Sequence, residues 1–191
     1  MKQNKKIAVT GGIGSGKTLF CNILKSLGYE VFSCDDIYAD LLQEEAYLSL
    51  LIKNFPDCFS DGKLNKKILS ERIFNNRKDK KTIESLAHPL IMQRLLKKME
   101  EKETVFAEVP LLFEGGYEEL FDCVIALVRN KEDRIKAVKK RSRLTEAEIL
   151  NRMENQIDPA LLFDKNCIIV ENNGTVEELK EKAIRILSKI A

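Results

Sequence analysis

The stretch Gly11-Gly12-Ile13-Gly14-Ser15-Gly16-Lys17-Thr18 fits the pattern G-x-x-x-x-G-K-[ST], and it decides how the rest of the chain is interpreted. Glycines permit backbone conformations that turn successive N–H groups toward a phosphate, and a following helix presents its positive N-terminal end to the same anion. Lys17 would reach the β- and γ-phosphates, and the Thr18 hydroxyl would bind Mg²⁺. The stretch therefore predicts a nucleoside triphosphate site. Its expected residues are Gly12, Ile13, Gly14, Ser15, Gly16, Lys17, Thr18 and Leu19.

Apolar segments on both sides of this loop predict an α/β fold. A strand is predicted over residues 6–10, before the loop, and a helix follows it, ending near Gly28. Strands that alternate with helices are typical of a parallel sheet, here of about five strands, flanked by helices. Ligands of such sheets bind at the carboxyl ends of the strands, where Thr10, Ser33 and Glu108 stand. The further strands are expected at 30–33, 104–108, 122–128 and 167–170.

The segment between the second and third predicted strands is too long for one crossover connection. It is almost wholly helical in pattern, so we expect a helical insertion over 37–102. Within it, Pro89 indicates a helix start or a kink. The capping-box patterns Thr145–Glu148 and Thr175–Glu178 predict the starts of two later helices.

Composition excludes several classes of protein. The 191 residues carry a net charge of +2, which argues against a protein that mainly coats nucleic acid. No apolar run is long enough to span a membrane, and no export signal is recognisable. Five scattered cysteines indicate neither a disulfide framework nor a zinc site. We therefore expect a cytoplasmic protein with reduced thiols, and a monomer or weak homo-oligomer.

Positive charge is concentrated in two segments, 63–81 and 129–143. Each contains eight basic residues against two acidic residues, a charge of +6 in an almost neutral chain. Such segregation suits polyanionic ligands, although a solvated helix face is the ordinary explanation for most of the lysines. Arginine grips phosphate with a planar fork, so Arg141 and Arg143 are the expected contacts to the triphosphate.

Three carboxylates are candidates for the chemistry. Asp35 and Asp36 follow the second predicted strand, where one could accept the proton of an attacking hydroxyl while the other caps the next helix. Asp35 is the expected base and Asp36 the expected cap. Glu108 ends a strand, where it could hold Mg²⁺ through water or simply terminate the strand.

Kinases, GTPase switches and transport ATPases all use such loops. Asn130-Lys131-Glu132-Asp133 matches the N-K-x-D pattern of guanine recognition, but no Asp stands three residues before any of the nine glycines, so the D-x-x-G element is absent. No feature indicates a transport ATPase. A small-molecule kinase is therefore favoured, with a nucleotide-binding regulatory protein as the alternative.

The chain resembles the dephospho-coenzyme A kinase family over nearly its whole length. The resemblance lies in the loop from Thr10 to Lys17, Asp35, Arg141, Gln156 and several longer segments. Those segments are Glu71-Arg72-Ile73-Phe74, His88-Pro89-Leu90-Ile91, Val109-Pro110-Leu111-Leu112-Phe113-Glu114 and Asn172-Asn173-Gly174.

This resemblance implies transfer of the γ-phosphate of ATP, with Mg²⁺, to the ribose 3′-hydroxyl of dephospho-CoA. It implies a nucleotide-binding core (1–36, 103–128 and 156–191), a CoA-binding insertion (37–102) and a lid (129–155). Asp35 matches the carboxylate proposed to activate the hydroxyl; Arg141 is expected in the lid, and His88 is a candidate for a structural role or substrate contact. Glu114 has no assigned role. Ser33, Ala39 and Cys167 depart from the family's usual residues.

Overall fold

The computed structural model describes residues 5–100, 103–142, 144–157, 161–162 and 165–190, which form seven β-strands and eight α-helices. The strands are β1 (Lys5–Thr10), β2 (Glu30–Ser33), β3 (Phe59–Ser60), β4 (Lys63–Leu64), β5 (Thr104–Glu108), β6 (Cys123–Val128) and β7 (Ile168–Glu171). The helices are α1 (Lys17–Ser26), α2 (Cys34–Leu41), α3 (Glu45–Asn54), α4 (Lys66–Asn75), α5 (Arg77–Met99), α6 (Lys131–Arg141), α7 (Glu146–Glu154) and α8 (Val176–Ile190). Among them, none has the length and apolar character needed to cross a bilayer.

The chain divides into two compact units. The first contains residues 1–33 and 99–191, and the second contains residues 34–98. The first unit therefore holds the sheet strands β1, β2 and β5–β7, while the second holds α2–α4, nearly all of α5 and the β3–β4 hairpin. The insertion expected over 37–102 thus begins and ends a few residues later than this unit. Its CoA-binding role stays a prediction.

The first unit is built on a five-stranded sheet in the order β2-β5-β1-β6-β7. Every pair in it is parallel, which confirms the predicted fold class. The central strand β1 is deeply buried from Ile7 onward, as its continuous apolar sequence predicts. The register pairs Glu108 with both Val9 and Ser33. The carboxyl ends of β1, β2 and β5 consequently meet at one edge of the sheet.

Helices α1 and α8 pack together over one part of this sheet. Phe20 and Leu24 of α1 are fully buried in a cluster that includes Leu179 and Ala183 of α8. The apolar positions of α1 recur at helical spacing, and this places them on one face. Gly28 follows the helix with φ +91°, the left-handed conformation that ends many helices at glycine. The start of α1, and the loop before it, are thereby fixed to the core.

Both predicted capping boxes are present. Before α7, the Thr145 N–H donates to Glu148 Oε2 at 2.7 Å, and the Glu148 N–H donates to Thr145 Oγ1 at 3.3 Å. Before α8, Thr175 and Glu178 make the same two bonds at 3.0 and 3.2 Å. These bonds satisfy N–H groups that have no partner inside the helix, so the sequence pattern sets where each helix begins.

In the second unit, Arg72 joins several elements. Its Nε donates to Asp79 Oδ2 at 2.7 Å and its Nη1 to Asp57 Oδ2 at 2.5 Å, while its guanidinium lies 5.5 Å from the centre of the Phe55 ring. Arg72 lies on α4 and Asp79 on α5, while Phe55 and Asp57 lie in the segment that precedes α4. Arg72 therefore serves the folding of this unit, although it belongs to the basic segment 63–81.

Pro89 lies inside α5 rather than at a helix start. Proline removes one backbone hydrogen bond from a helix interior. Helix α5 nevertheless runs without a break from Arg77 to Met99, and its residues Leu95 and Met99 are fully buried. Packing of this face outweighs the local propensity, so a helix start at Pro89 was the wrong alternative.

Candidate active site

The glycine-rich loop connects β1 to α1, as predicted, and α1 begins at Lys17. Gly14 has φ +77°, and a Cβ on it would stand 2.6 Å from the backbone oxygen of Arg134. Gly16 has φ +99°, and a Cβ there would stand 2.1 Å from Asn172 Nδ2. Both the backbone conformation and the close neighbours therefore require glycine. The loop is held in a shape that leaves no room for a side chain at these two positions.

Polar groups of this loop are buried and closely spaced. Ser15 is 1% exposed, and its Oγ has no hydrogen-bond partner among the described residues. Lys17 Nζ donates to the carbonyl oxygens of Gly11 and Gly12 at 2.7 and 3.3 Å. A buried hydroxyl without a partner is costly unless a ligand supplies one. The ammonium, this hydroxyl and the helix N-terminus are chemically suited to an anion.

Three side chains from later in the chain hold the loop from outside. The Ile13 N–H donates to Gln156 Oε1 at 2.6 Å, and its carbonyl oxygen accepts from Arg134 Nε at 2.8 Å. Asn172 Nδ2 donates to the carbonyl oxygen of Ser15 at 2.8 Å. Sequence reasoning did not select these residues for the site. Gln156 and Asn172 lie within the segments of family resemblance, which was the available signal.

Thr18 and Glu108 form the candidate metal end of the site. Thr18 Oγ1 donates to Glu108 Oε1 at 3.0 Å, so the first turn of α1 and the carboxyl end of β5 are directly connected. A hydroxyl beside a carboxylate is the oxygen chemistry that Mg²⁺ prefers. No group of three or more His, Cys, Asp or Glu side chains suited to a metal occurs in the described part of the chain. These two residues fit a magnesium ion held partly by phosphate and water.

The thiol of Cys21 lies next to the same carboxylate. Cys21 is 2% exposed, and burial raises the pKa of its thiol to about 12, with a further upward contribution from the charge of Glu108. Lys25 and Lys17 act in the opposite direction on this pKa, with smaller effects. The thiol of Cys21 is thus protonated at neutral pH.

The basic segment 129–143 divides into one buried and several exposed cations. Lys131, Lys136, Lys139, Lys140 and Arg141 are exposed, as expected for a solvated helix face. Arg134 is instead 6% exposed, and burial lowers the pKa of its guanidinium. Arg141 is the last residue of α6, and Arg143 lies outside the described residues. The N-K-x-D pattern forms the start of α6, with Asn130 preceding the helix.

Asp35 and Asp36 lie in the second unit, both exposed, in the first turn of α2. Because α2 begins at Cys34, directly after β2, neither carboxylate stands before the helix. The expectation that Asp36 is the N-cap was therefore wrong. Carboxylates in a first turn still stabilise the positive end of the helix. Asp35 therefore lies two residues after the end of β2, in the first turn of α2.

His88 is half-buried on α5, also in the second unit. Burial lowers the pKa of its imidazole, opposed by the charge of Glu84 and assisted by that of Lys80. The ring is consequently neutral at pH 7, with one nitrogen able to donate and the other able to accept a hydrogen bond. This suits a positioning contact and does not suit a permanent positive charge.

We expect Cys21 to resist alkylation in the native protein. Its raised pKa makes its thiolate fraction at pH 8 roughly 10³-fold lower than that of an ordinary thiol. Treatment with iodoacetamide at pH 8, followed by mass spectrometry, should leave Cys21 unmodified in native protein and modified in urea. Rapid native modification would contradict the burial described above.

Comparisons with known proteins identify the family of this chain. The model of the CoaE dephospho-CoA kinase family matches residues 5–178. A dephospho-CoA kinase of Campylobacter jejuni (strain RM1221) is 31% identical over 193 residues, covering 96% of this chain and 95% of the relative. A dephospho-CoA kinase structure from Campylobacter jejuni superposes with a TM-score of 0.70 at 30% identity, covering 97% of this chain and 96% of that one.

A crystal structure of the protein TT1252 from Thermus thermophilus is similar over 100% of both chains, with a TM-score of 0.87 and 29% identity. The similarity therefore extends beyond the phosphate loop, which many kinases share, to the insertion and the C-terminal segment. The match to the family model alone covers most of the chain. The resemblance seen in the sequence is confirmed: this chain belongs to the CoaE dephospho-CoA kinase family.

Proposed function

We propose that this chain performs its family's reaction with the groups described above. As a member of the family it is an ATP-dependent kinase for dephospho-CoA, transferring a phosphoryl group to the ribose 3′-hydroxyl to give coenzyme A and ADP. The observation that supports the residue roles best is the loop around Ser15, which combines a buried hydroxyl, the Lys17 ammonium and a helix N-terminus.

ATP is bound by residues 12–19. The backbone N–H groups of the loop and the start of α1 surround the β- and γ-phosphates, and Lys17 exchanges its carbonyl partners for phosphate oxygens. Phosphoryl transfer has a loose transition state with charge spread over the equatorial oxygens, so fixed donors stabilise it without rearranging. Arg141, at the end of α6, contacts the phosphates from the lid, and the same role for Arg143 stays an expectation from the sequence.

Thr18 and Glu108 hold Mg²⁺ beside the phosphates. The Thr18 hydroxyl would supply an oxygen ligand, and Glu108, which accepts from that hydroxyl, would hold the ion's water. When bound, the ion neutralises developing charge between the β- and γ-phosphates. The protein's part is to fix the hydroxyl and the carboxylate on α1 and β5, so that their separation does not depend on the ligand.

The acceptor is bound by the second unit. Asp35 accepts the proton of the 3′-hydroxyl and orients it for attack, and in this reaction orientation matters as much as basicity. His88, neutral at pH 7, offers a hydrogen bond to the substrate. Exposed lysines of the basic segment, such as Lys66, Lys67 and Lys78, attract the substrate's pyrophosphate, since Arg72 is engaged by Asp57 and Asp79.

The expectations about location, partners and oligomeric state do not depend on the geometry of the active site. A cytoplasmic location, the absence of nucleic-acid and membrane partners, and a monomeric or weakly oligomeric state stay predictions. Sedimentation of the purified chain would test the last of these directly.

An assay of acceptor specificity tests the reaction itself. ADP release from ATP should require dephospho-CoA, and adenosine, nucleoside monophosphates or shikimate should give no more than the background rate. Mass spectrometry of the product should show one added phosphoryl group. Tight nucleotide binding without any phosphorylated product would favour the regulatory alternative, and GTP hydrolysis without acceptor would favour a switch.

Asp35→Asn should lower kcat about 10²- to 10⁴-fold, the usual contribution of a general base, while the Kd for ATP changes little. Asp36→Asn is the matched control, because it removes an equivalent exposed charge from the same helical turn. It should retain activity within a few-fold of the unmodified protein. Equal losses in both variants would mean that Asp35 acts only through the helix or the local charge.

Glu108→Gln should raise the Mg²⁺ concentration needed for half-maximal activity about 10-fold or more, the usual cost of removing a group that orients metal-bound water. Glutamine can still accept from the Thr18 hydroxyl, so the link between α1 and β5 is retained. Magnesium titrations at saturating ATP measure the effect. An unchanged Mg²⁺ requirement would assign Glu108 a purely structural role.

A further inference from the structure

The backbone of Ile13 is held at both its N–H and its carbonyl oxygen by side chains that have no assigned function. Its N–H donates to Gln156 Oε1 at 2.6 Å, and its carbonyl oxygen accepts from Arg134 Nε at 2.8 Å. Both backbone polar groups of Ile13 are thus committed to partners more than 120 residues away in sequence.

Arg134 is an unusual group for such a position. It is 94% buried, and no carboxylate within the described residues forms an ion pair with it. A Cβ on Gly12 would stand 2.3 Å from Arg134 Nη2, and a Cβ on Gly14 would stand 2.6 Å from the backbone oxygen of Arg134. Burying a charge without a counter-charge is costly, so Arg134 lowers the stability of the fold at this position. A bound polyphosphate would supply the missing negative charge.

Gln156 is itself held in place by Glu114, which the sequence left without a role. The N–H of Ile157, the residue after Gln156, donates to Glu114 Oε1 at 2.8 Å. Glu114 lies in the loop after β5, the strand that also carries Glu108. The segment following α7 is therefore connected to the loop after β5 on one side and to Ile13 on the other.

We propose that Arg134 and Gln156 are positioning residues for ATP, that they act by clamping the backbone of Ile13, and that Glu114 acts through Gln156. This rests on the proposed role of the loop as the ATP site. The clamp fixes the start of the loop, so the following N–H groups converge on the phosphates before the nucleotide arrives. Preorganised donors bind more tightly because ordering them costs nothing at the time of binding.

The clamp also connects the loop to the segment expected to be the lid. Arg134 is on α6 and Gln156 follows α7, so both ends of the α6–α7 segment are attached to the same residue, Ile13. Arg141 is seven residues after Arg134, two helical turns along α6 and on the same side of it. Holding Arg134 against Ile13 therefore sets the direction from which Arg141 approaches the phosphates.

Gln156→Met is the central test, because methionine keeps the length of the side chain and removes the acceptor. The Kd for a fluorescent ADP analogue and the KM for ATP should both rise about 10-fold, the effect of losing a hydrogen bond to a functional group. The KM for dephospho-CoA should stay within about twofold, and the melting temperature should fall by no more than about 4 °C. A merely structural residue would lower the melting temperature without this selective effect on nucleotide.

Glu146→Gln is the matched control. It removes the surface ion pair between Lys139 of α6 and Glu146 of α7, and so loosens the same segment without touching Ile13. Nucleotide affinity should be unchanged. Arg134→Lys retains the charge but not the planar fork, and it should weaken nucleotide binding in the same direction as Gln156→Met.

Glu114→Ala tests the indirect role. It should weaken ADP binding in the unmodified background and have no further effect in the Gln156→Met background, since it acts through that residue. Nucleotide Kd values of Gln156→Met and Arg134→Lys within twofold of the unmodified protein, with folding intact, would overturn the clamp. Additive effects of Glu114→Ala and Gln156→Met would overturn the role of Glu114.

The nucleotide measurements separate this proposal from the proposed function. If the unmodified chain binds ADP through the clamp but phosphorylates no acceptor, the clamp is supported and the assigned reaction fails. If dephospho-CoA is phosphorylated normally and the Gln156→Met variant binds nucleotide as well as the unmodified chain, the reaction stands and the clamp is wrong.

Discussion

The whole active-site architecture depends on one steric constraint: the loop between β1 and α1 must pass other backbone and side-chain atoms at distances that exclude a Cβ. Gly14 passes the backbone of Arg134, and Gly16 passes Asn172. Because no side chain stands at these two positions, the loop amides and the N-terminus of α1 can face a common centre. The buried β1 strand and the packed face of α1 hold both ends of the loop in place.

The sequence was sufficient for the fold and the position of the loop. Alternating apolar segments predicted the five-stranded parallel sheet, and two Thr-x-x-Glu patterns predicted the starts of α7 and α8. These are local signals, set by nearby hydrogen bonds and by strand burial. The assignments that failed, Asp36 as a cap and Pro89 as a possible helix start, depended on where a helix begins when tertiary packing decides it.

The sequence was weaker on which cations serve the site. Eight basic residues in 129–143 are alike in pattern, yet Arg134 is buried against the loop while Arg141 is exposed. The same holds for Arg72, which is committed to Asp57 and Asp79 in the second unit. Burial and partner choice are long-range properties, since Ile13 and Arg134 are separated by 121 residues. No spacing rule along the chain could have indicated that contact.

The α6–α7 segment leaves the sheet after β6 and returns in β7, two strands that pair directly with each other. Because these strands are parallel and Ile125 pairs with Ile168, the segment returns three residues, about 10 Å, back along β6 from Val128, and sheet hydrogen bonds hold both points rigidly. Chimeric kinases could therefore exchange the whole segment with that of another family member without altering the sheet. Such grafts would need to include residues 134 and 156 and a compatible loop, because these positions must match each other when the parts come from different parents.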